Sequence, residues 1–147
     1  MTAESIITKS SNIGAAKIAI ERLGEDRLYN YACDFGFGEK TGIPLPSESR
    51  GILYPVSKWS KVTIAQMPMG HGVAVTRLQM IMAMAAVANN GCLMRPMLVS
   101  RLQDRNGNVV QKYVPQRVRQ CVSAFAAREM VEALKTVVSK DGTAAGS

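Results

Sequence analysis

The sequence predicts an α+β fold, mostly helical, with a β-hairpin. Three stretches, 11–23, 76–90 and 123–139, carry apolar residues at helical spacing, and each opens on a serine or threonine suited to cap a helix. A fourth signal, Asn106-Gly107, separates two β-rich runs. Length supports one domain with one core, since 147 residues are enough to bury one. Apolar residues make up 47% and charged residues 20%, an ordinary balance for a folded chain.

Taken in order, the first helix runs from Ser11 to Leu23, with Ser11 or Asn12 as cap and Ile13, Ala16, Ile20 and Leu23 on one face. Gly24 is placed to stop it. A short helix follows from Glu25 to about Asp34; its two opening acids suit the positive end of the helix dipole, and Leu28, Tyr31, Ala32 and Phe35 form its inner side. From Gly36 to Pro55, glycine and proline recur so often that a long irregular excursion is the natural reading. Ser57 to Lys61 fit one helical turn around Trp59, and the β-branched run from Val62 to Met69 reads as extended. Thr76 caps a helix to about Asn90, with Leu78, Ile81, Met82, Ala85 and Ala86 as its apolar face and Asn90-Gly91 as its end. Leu93 to Leu102 and Val109 to Val114 are the two strands of the hairpin. The last helix runs from Ser123 to Ser139, with Phe125, Met130, Leu134 and Val137 or Val138 as its stripe and Gly142 beyond it.

Composition removes several functions. Net charge is +7, but the basic residues are scattered, ending in a loose group from Arg95 to Arg119. Aromatic residues are only 5% and do not interleave with basic ones, so no nucleic-acid platform is expected. Cys33, Cys92 and Cys121 are far apart and set among apolar neighbours, which reads as buried free thiols. His71 stands alone between two glycines. No metal site and no cofactor are expected. The longest apolar stretch, Leu78 to Ala88, is too short to span a bilayer, and no signal segment is visible. Phosphate loops, Gly-x-Ser-x-Gly and His-Glu-x-x-His are absent from the sequence.

Motif order supplies what single motifs do not. Lys9-Ser10-Ser11-Asn12-Ile13-Gly14 at a helix start resembles the Ser-x-Asn element of the penicillin-binding proteins. Phe35-Gly36-Phe37-Gly38, Thr41-Gly42-Ile43, Pro46, Glu48 and Gly51 resemble the stretch that follows it in that family. Trp59-Ser60, Gly70-His71-Gly72, Val75-Thr76, Leu78-Gln79, Ala88-Asn89-Asn90-Gly91 and Pro96 then come in the family's order. Val137-Val138 and Gly142-Thr143-Ala144 are similar to the segment before its Lys-Thr-Gly strand. The resemblance covers nearly the whole chain and is strongest to the class B transpeptidases of cell division and elongation.

The resemblance implies part of a D,D-transpeptidase domain that cross-links peptidoglycan stem peptides through a serine acyl-enzyme and binds β-lactams. It implies Ser10 as a catalytic proton relay. Asn12 would be catalytic and substrate-binding, holding the substrate backbone and steadying a lysine; Ser11 would point away from the cleft. It implies a parent anchored in the inner membrane with this domain outside the cytoplasm, working with division or elongation proteins. Some residues depart from the pattern. Arg77 replaces a usual proline, which matters little because proline there only preorganises the helix. No Ser-x-x-Lys occurs in the 147 residues, and the family places it upstream. Lys40-Thr41-Gly42 lies too early to be the Lys-Thr-Gly wall, which is expected after Ala144. The chain therefore reads as 1–147 of a single partial transpeptidase domain, inactive alone, whose exposed apolar faces favour self-association. A D,D-carboxypeptidase, β-lactamase or β-lactam sensor of the same fold, or a basic helical binding module without catalysis, stand as alternatives.

Overall fold

A computed structural model describes residues 2–140 and 142–145, which form six α-helices and three short antiparallel strand pairs. The helices are α1 (Ala3–Thr8), α2 (Asn12–Ile18), α3 (Gly24–Asp34), α4 (Thr63–Gln66), α5 (Arg77–Ala88) and α6 (Ala124–Lys135). The strands are β1 (Ile52–Leu53), β2 (Val73–Ala74), β3 (Cys92–Met94), β4 (Arg101–Gln103), β5 (Val109–Lys112) and β6 (Arg117–Gln120). β1 pairs with β2, β3 with β6 and β4 with β5. This is the largely helical α+β architecture the sequence predicts.

α5 and α6 start where their predicted capping residues stand. The Gln79 amide donates to Thr76 Oγ1 (3.1 Å) while the Thr76 amide donates to Gln79 Oε1 (2.8 Å), a reciprocal capping box at α5. The Ala126 amide donates to Ser123 Oγ at α6 (3.1 Å). Asn90 and Gly91 end α5 with φ of 52° and 80°. The predicted hairpin forms as β4–β5, and its turn is held by Asp104, whose Oδ1 accepts from the Asn106 and Asn108 amides at 2.9 and 2.8 Å.

Other expectations are corrected. The run 62–69 is α4 followed by a 3-10 turn, Met67–Met69, not extended chain. Thr63 Oγ1 accepts the Ser60 amide (3.0 Å), and Pro68 sits in the first turn of the 3-10 segment, where its missing N–H costs nothing. The run 93–102 splits: β3 pairs with β6, an unpredicted strand, and only β4 enters the hairpin. α1 was not anticipated either, being too short to show a period. The first helix widens into a π-helical turn, Ala19–Leu23, before Gly24 breaks it at φ 76°. The turn around Trp59 is a 3-10 turn, Val56–Lys58. α6 ends at Lys135 and passes into another, Thr136–Val138, before Gly142. Gly146 and Ser147, where the Lys-Thr-Gly strand was expected to follow, lie outside the described residues.

Helix faces also differ from the predicted stripes. α5 buries Gln79, Ala83 and Ala86, while Ile81 is 65% exposed. α6 buries Ala127 and leaves Phe125 67% exposed, and α2 buries Gly14 while Ile13 is 83% exposed. Tyr31 on α3 is exposed as well, with Ala32 as its buried residue. Contacts run along alanine and glycine because small side chains let helix backbones approach closely. The buried cluster is Ala86, Leu93 and Cys121, packed by Phe35 and Met82. The Cys121 thiol donates to Asp34 O (3.0 Å), and burial pushes its pKa up, so it stays a protonated, weakly reactive thiol. Cys33 and Cys92 are free and half-buried rather than buried.

Two side chains tie down the irregular excursion. Gln79, 1% exposed, donates through Nε2 to the carbonyls of Glu39 (2.7 Å) and Arg50 (3.0 Å), with Gly36 O at 3.4 Å. Glu48 accepts from the Thr41 amide (2.7 Å), Thr41 Oγ1 (2.5 Å) and the Gly42 amide (3.2 Å). Lys40-Thr41-Gly42 is thus a loop latch. Gly51 is required where β1 meets β2, because a Cβ there would lie 2.3 Å from Ala74 O.

Replacing Gln79 with leucine should lower unfolding free energy by about 2–3 kcal/mol, since carbonyls and an amide lose their buried partner; urea denaturation reads this directly. The Thr41 hydroxyl, ahead of backbone amides and nearby Lys40, holds the Glu48 carboxyl below its usual pKa. A lowered folded pKa means the latch is intact above the ordinary glutamate value and is lost as pH falls through the lowered one. Amide resonances of Thr41 and Gly42 should therefore hold steady through the ordinary glutamate range and move only below it.

Candidate functional site

The predicted site residues lie where α1 hands over to α2. Thr2 caps α1, accepting the Ser5 amide on its Oγ1 (3.1 Å). At the other end the Ser10 amide donates to Ile7 O (3.0 Å) and the Ser11 amide to Ile6 O (2.9 Å). These are the 5→2 and 6→1 bonds of a Schellman motif. The motif needs a left-handed residue, and Ser10 occupies it at φ 50°. Glycine is the ordinary choice there because a Cβ is strained in that region. Ser11 then turns extended and caps α2: its Oγ accepts the Gly14 amide (3.1 Å) and its carbonyl accepts the Ala15 amide (2.9 Å). Ser11, not Asn12, is therefore the cap.

The two flanking side chains behave differently. Ser10 and Asn12 are exposed, and neither side chain makes a hydrogen bond among the described residues. Ser11 spends its hydroxyl on the helix. The junction offers solvent one hydroxyl, able to donate and accept together, and one carboxamide two residues on. No base among the described residues hydrogen-bonds Ser10 Oγ, so the hydroxyl is not activated for attack. Its arrangement suits passing a proton between groups brought to it.

The mount is rigid. Thr8, buried at the end of α1, bonds Thr136 Oγ1 beyond α6 and donates to Glu4 O (2.9 Å). Gly14 lets α1 and α2 meet: a Cβ there would lie 2.6 Å from Ile6 Cγ1. α2 also packs on α4 and the Met67–Met69 turn, so the Gly70-His71-Gly72 block follows directly from a segment that braces the site helix. His71 is exposed, and its amide donates to Gln66 O (3.2 Å). The reading of 11–23 as one helix missed α1 and with it the Schellman turn; Thr2-x-x-Ser5 was the available cap signal. Among the described residues no His, Cys, Asp or Glu side chains group to hold a metal ion, and no helix is long and apolar enough to cross a membrane.

Comparison with known proteins gives a consistent picture. The family model described as penicillin binding protein transpeptidase domain matches residues 1–147. Penicillin-binding protein PbpB of Mycobacterium tuberculosis is 34% identical over 140 residues, covering 95% of this chain and 20% of that protein. Stage V sporulation protein D of Bacillus subtilis is 35% identical over 136 residues, covering 92% and 21%. The chain thus spans about a fifth of the length of these relatives. Penicillin binding protein 3 of M. tuberculosis, solved with aztreonam, superposes with TM-score 0.84 at 32% identity over 97% of this chain and 33% of that one. The D,D-transpeptidase domain of a peptidoglycan glycosyltransferase from Eggerthella lenta gives TM-score 0.88 at 26% identity over 97% and 37%.

The junction makes two opposite stability predictions. Ser11→Ala removes a helix cap and should cost about 1 kcal/mol. Ser10→Gly relieves the left-handed strain and should leave stability unchanged or raise it by up to about 1 kcal/mol. Urea denaturation of both variants checks the pair; a clear loss of stability in Ser10→Gly would contradict the junction.

Proposed function

This chain belongs to the penicillin-binding-protein transpeptidase domain family and has its fold, and from that membership we propose that it is a segment of a peptidoglycan D,D-transpeptidase. Residues 1–147 are part of one transpeptidase domain, with Ser10-Ser11-Asn12 as its Ser-x-Asn wall. One observation carries the assignment of the wall: a serine is kept in a strained position that glycine fills more easily, with its hydroxyl left free beside a free asparagine. Strain held in place by hydrogen bonds at the junction points to a use for the side chain that causes it.

In this reading the nucleophilic serine and its lysine base come from a Ser-x-x-Lys element beyond the 147 residues. The nucleophile attacks the carbonyl of the penultimate D-alanine of a stem peptide and gives its proton to the lysine. Ser10 accepts a proton from that lysine and donates its own to the departing amide nitrogen. The C–N bond breaks, and D-alanine leaves. Asn12 donates from its carboxamide to the substrate backbone and steadies the lysine. An amine on a second stem then takes the acyl group. β-Lactams enter as acylating mimics of the same peptide; the aztreonam complex of the M. tuberculosis relative supports this. The parent is anchored in the inner membrane, holds this domain outside the cytoplasm, and works with division or elongation proteins.

In the full transpeptidase that carries these residues, Ser10→Ala should slow acylation by a fluorescent penicillin about 100-fold or more, the usual worth of a positioned proton-transfer group. Unchanged acylation would remove Ser10 from the site. The 147 residues alone should take no denaturation-resistant label, and stoichiometric labelling would overturn the placement of the nucleophile outside them.

A further inference from the structure

The loose basic group from Arg95 to Arg119 has no part in the cleft chemistry, yet the fold gathers it. Arg95, Arg117 and Arg119 line a cavity of about 350 Å3 together with loop 39–42, against which Arg95 and Arg119 lie at Gly42 and Glu39. Lys40 adds a fourth cation, against one carboxylate, Glu39. Glu39 is paired with Arg119, and Lys40 lies near Glu48. Arg95 and Arg117 meet only neutral amides: Arg95 donates to Gln116 Oε1 (3.3 Å) and Arg117 to Gln120 Oε1 (2.8 Å). Neither has a carboxylate partner among the described residues.

A second trough of about 530 Å3 adjoins it, sharing Gly42, Arg95 and Gln116 and walled by Pro44, Pro96, Leu98, Tyr113 and Val114. Leu98 is 54% and Val114 63% exposed, so the trough presents apolar surface to water. The two compartments share Arg95, which puts a guanidinium at the boundary between a cationic half and an apolar half.

We propose that this groove docks an extended acidic peptide segment of a partner protein, with carboxylates on Arg95 and Arg117 and an apolar side chain in the trough against Tyr113. Guanidinium groups without a counter-charge are matched by carboxylates in forked, charge-assisted hydrogen bonds. A small inorganic anion would leave the apolar half uncovered. A nucleic acid would find one aromatic ring in the trough instead of a stacking series. The chain's net charge of +7 favours encounter with an acidic partner. No residue of the Ser10 junction lines the groove, so the two proposals rest on different residues.

The test is fluorescence anisotropy with a fluorescein-labelled hexapeptide of alternating glutamate and leucine. Saturable binding is expected, about tenfold tighter than to a glutamate–serine or a lysine–leucine hexapeptide. Arg95→Gln and Arg117→Gln should each weaken it by about tenfold, the worth of one charge-assisted contact. Tyr113→Ser should weaken the glutamate–leucine peptide but not the glutamate–serine one. All three side chains are exposed, so unchanged thermal unfolding accompanies each expected loss. Absence of saturable binding, equal affinity for the glutamate–serine peptide or for a hexanucleotide, or full affinity in both arginine variants would each overturn the proposal.

Discussion

The carboxamide of Gln79 is sealed from solvent where α5 begins and the excursion 36–50 returns to meet β1. Its oxygen closes the capping box of α5, and its nitrogen holds two carbonyls of the excursion. This polar anchor matters because the fully buried apolar residues are mostly alanines, with Leu93 the one large exception among the described residues. Alanine buries little area, so close helix approach and satisfied hydrogen bonds carry a larger share of the architecture. One side chain thereby fixes both where a helix starts and where a distant loop lies. The packing of α5 on β3 and α6 follows from that placement.

The Ser11 junction repeats the economy on a smaller scale. Its amide ends α1 and its hydroxyl starts α2, so no residue is left over as linker. Gly14 against Ile6 and Thr8 against Thr136 then fix both helices to their neighbours. Helix termini held this way are more precise mounts than free loops, which is what the proposed relay would need. The left-handed Ser10 is the strained element of the arrangement, and its Schellman bonds are what hold it there.

Signals that depend on one residue and its near neighbours were legible in the sequence. Thr76 and Ser123 cap the helices they were expected to cap, Ser11 is the one of two candidates that caps α2, Asn90-Gly91 ends α5, and Asn106-Gly107 lies in the hairpin turn. Signals that depend on tertiary contact were not. α5 is apolar around most of its circumference, so periodicity could not choose its face; the partners of Gln79 do. α4 replaces a strand where the Thr63 hydroxyl takes the Ser60 amide and turns the chain ahead of the helix, against the β-branched propensity of the run. β6 is invisible because Arg117 and Arg119 alternate with residues that give no apolar pattern, and its pairing with β3 bridges over twenty residues. Ser10 and Asn12 entered through resemblance, since Ser-x-Asn alone is also a helix cap. The left-handed backbone of Ser10 was hidden because glycine, the usual marker, is absent there.

The central claim is that Ser10 is kept for its hydroxyl despite its backbone. The most direct measurement is the second-order rate of penicillin acylation in the full transpeptidase carrying Ser10→Gly. That variant keeps, or relaxes, the turn while deleting the hydroxyl. The account predicts a rate collapse of about 100-fold or more with stability intact. Acylation at the unsubstituted rate would contradict it.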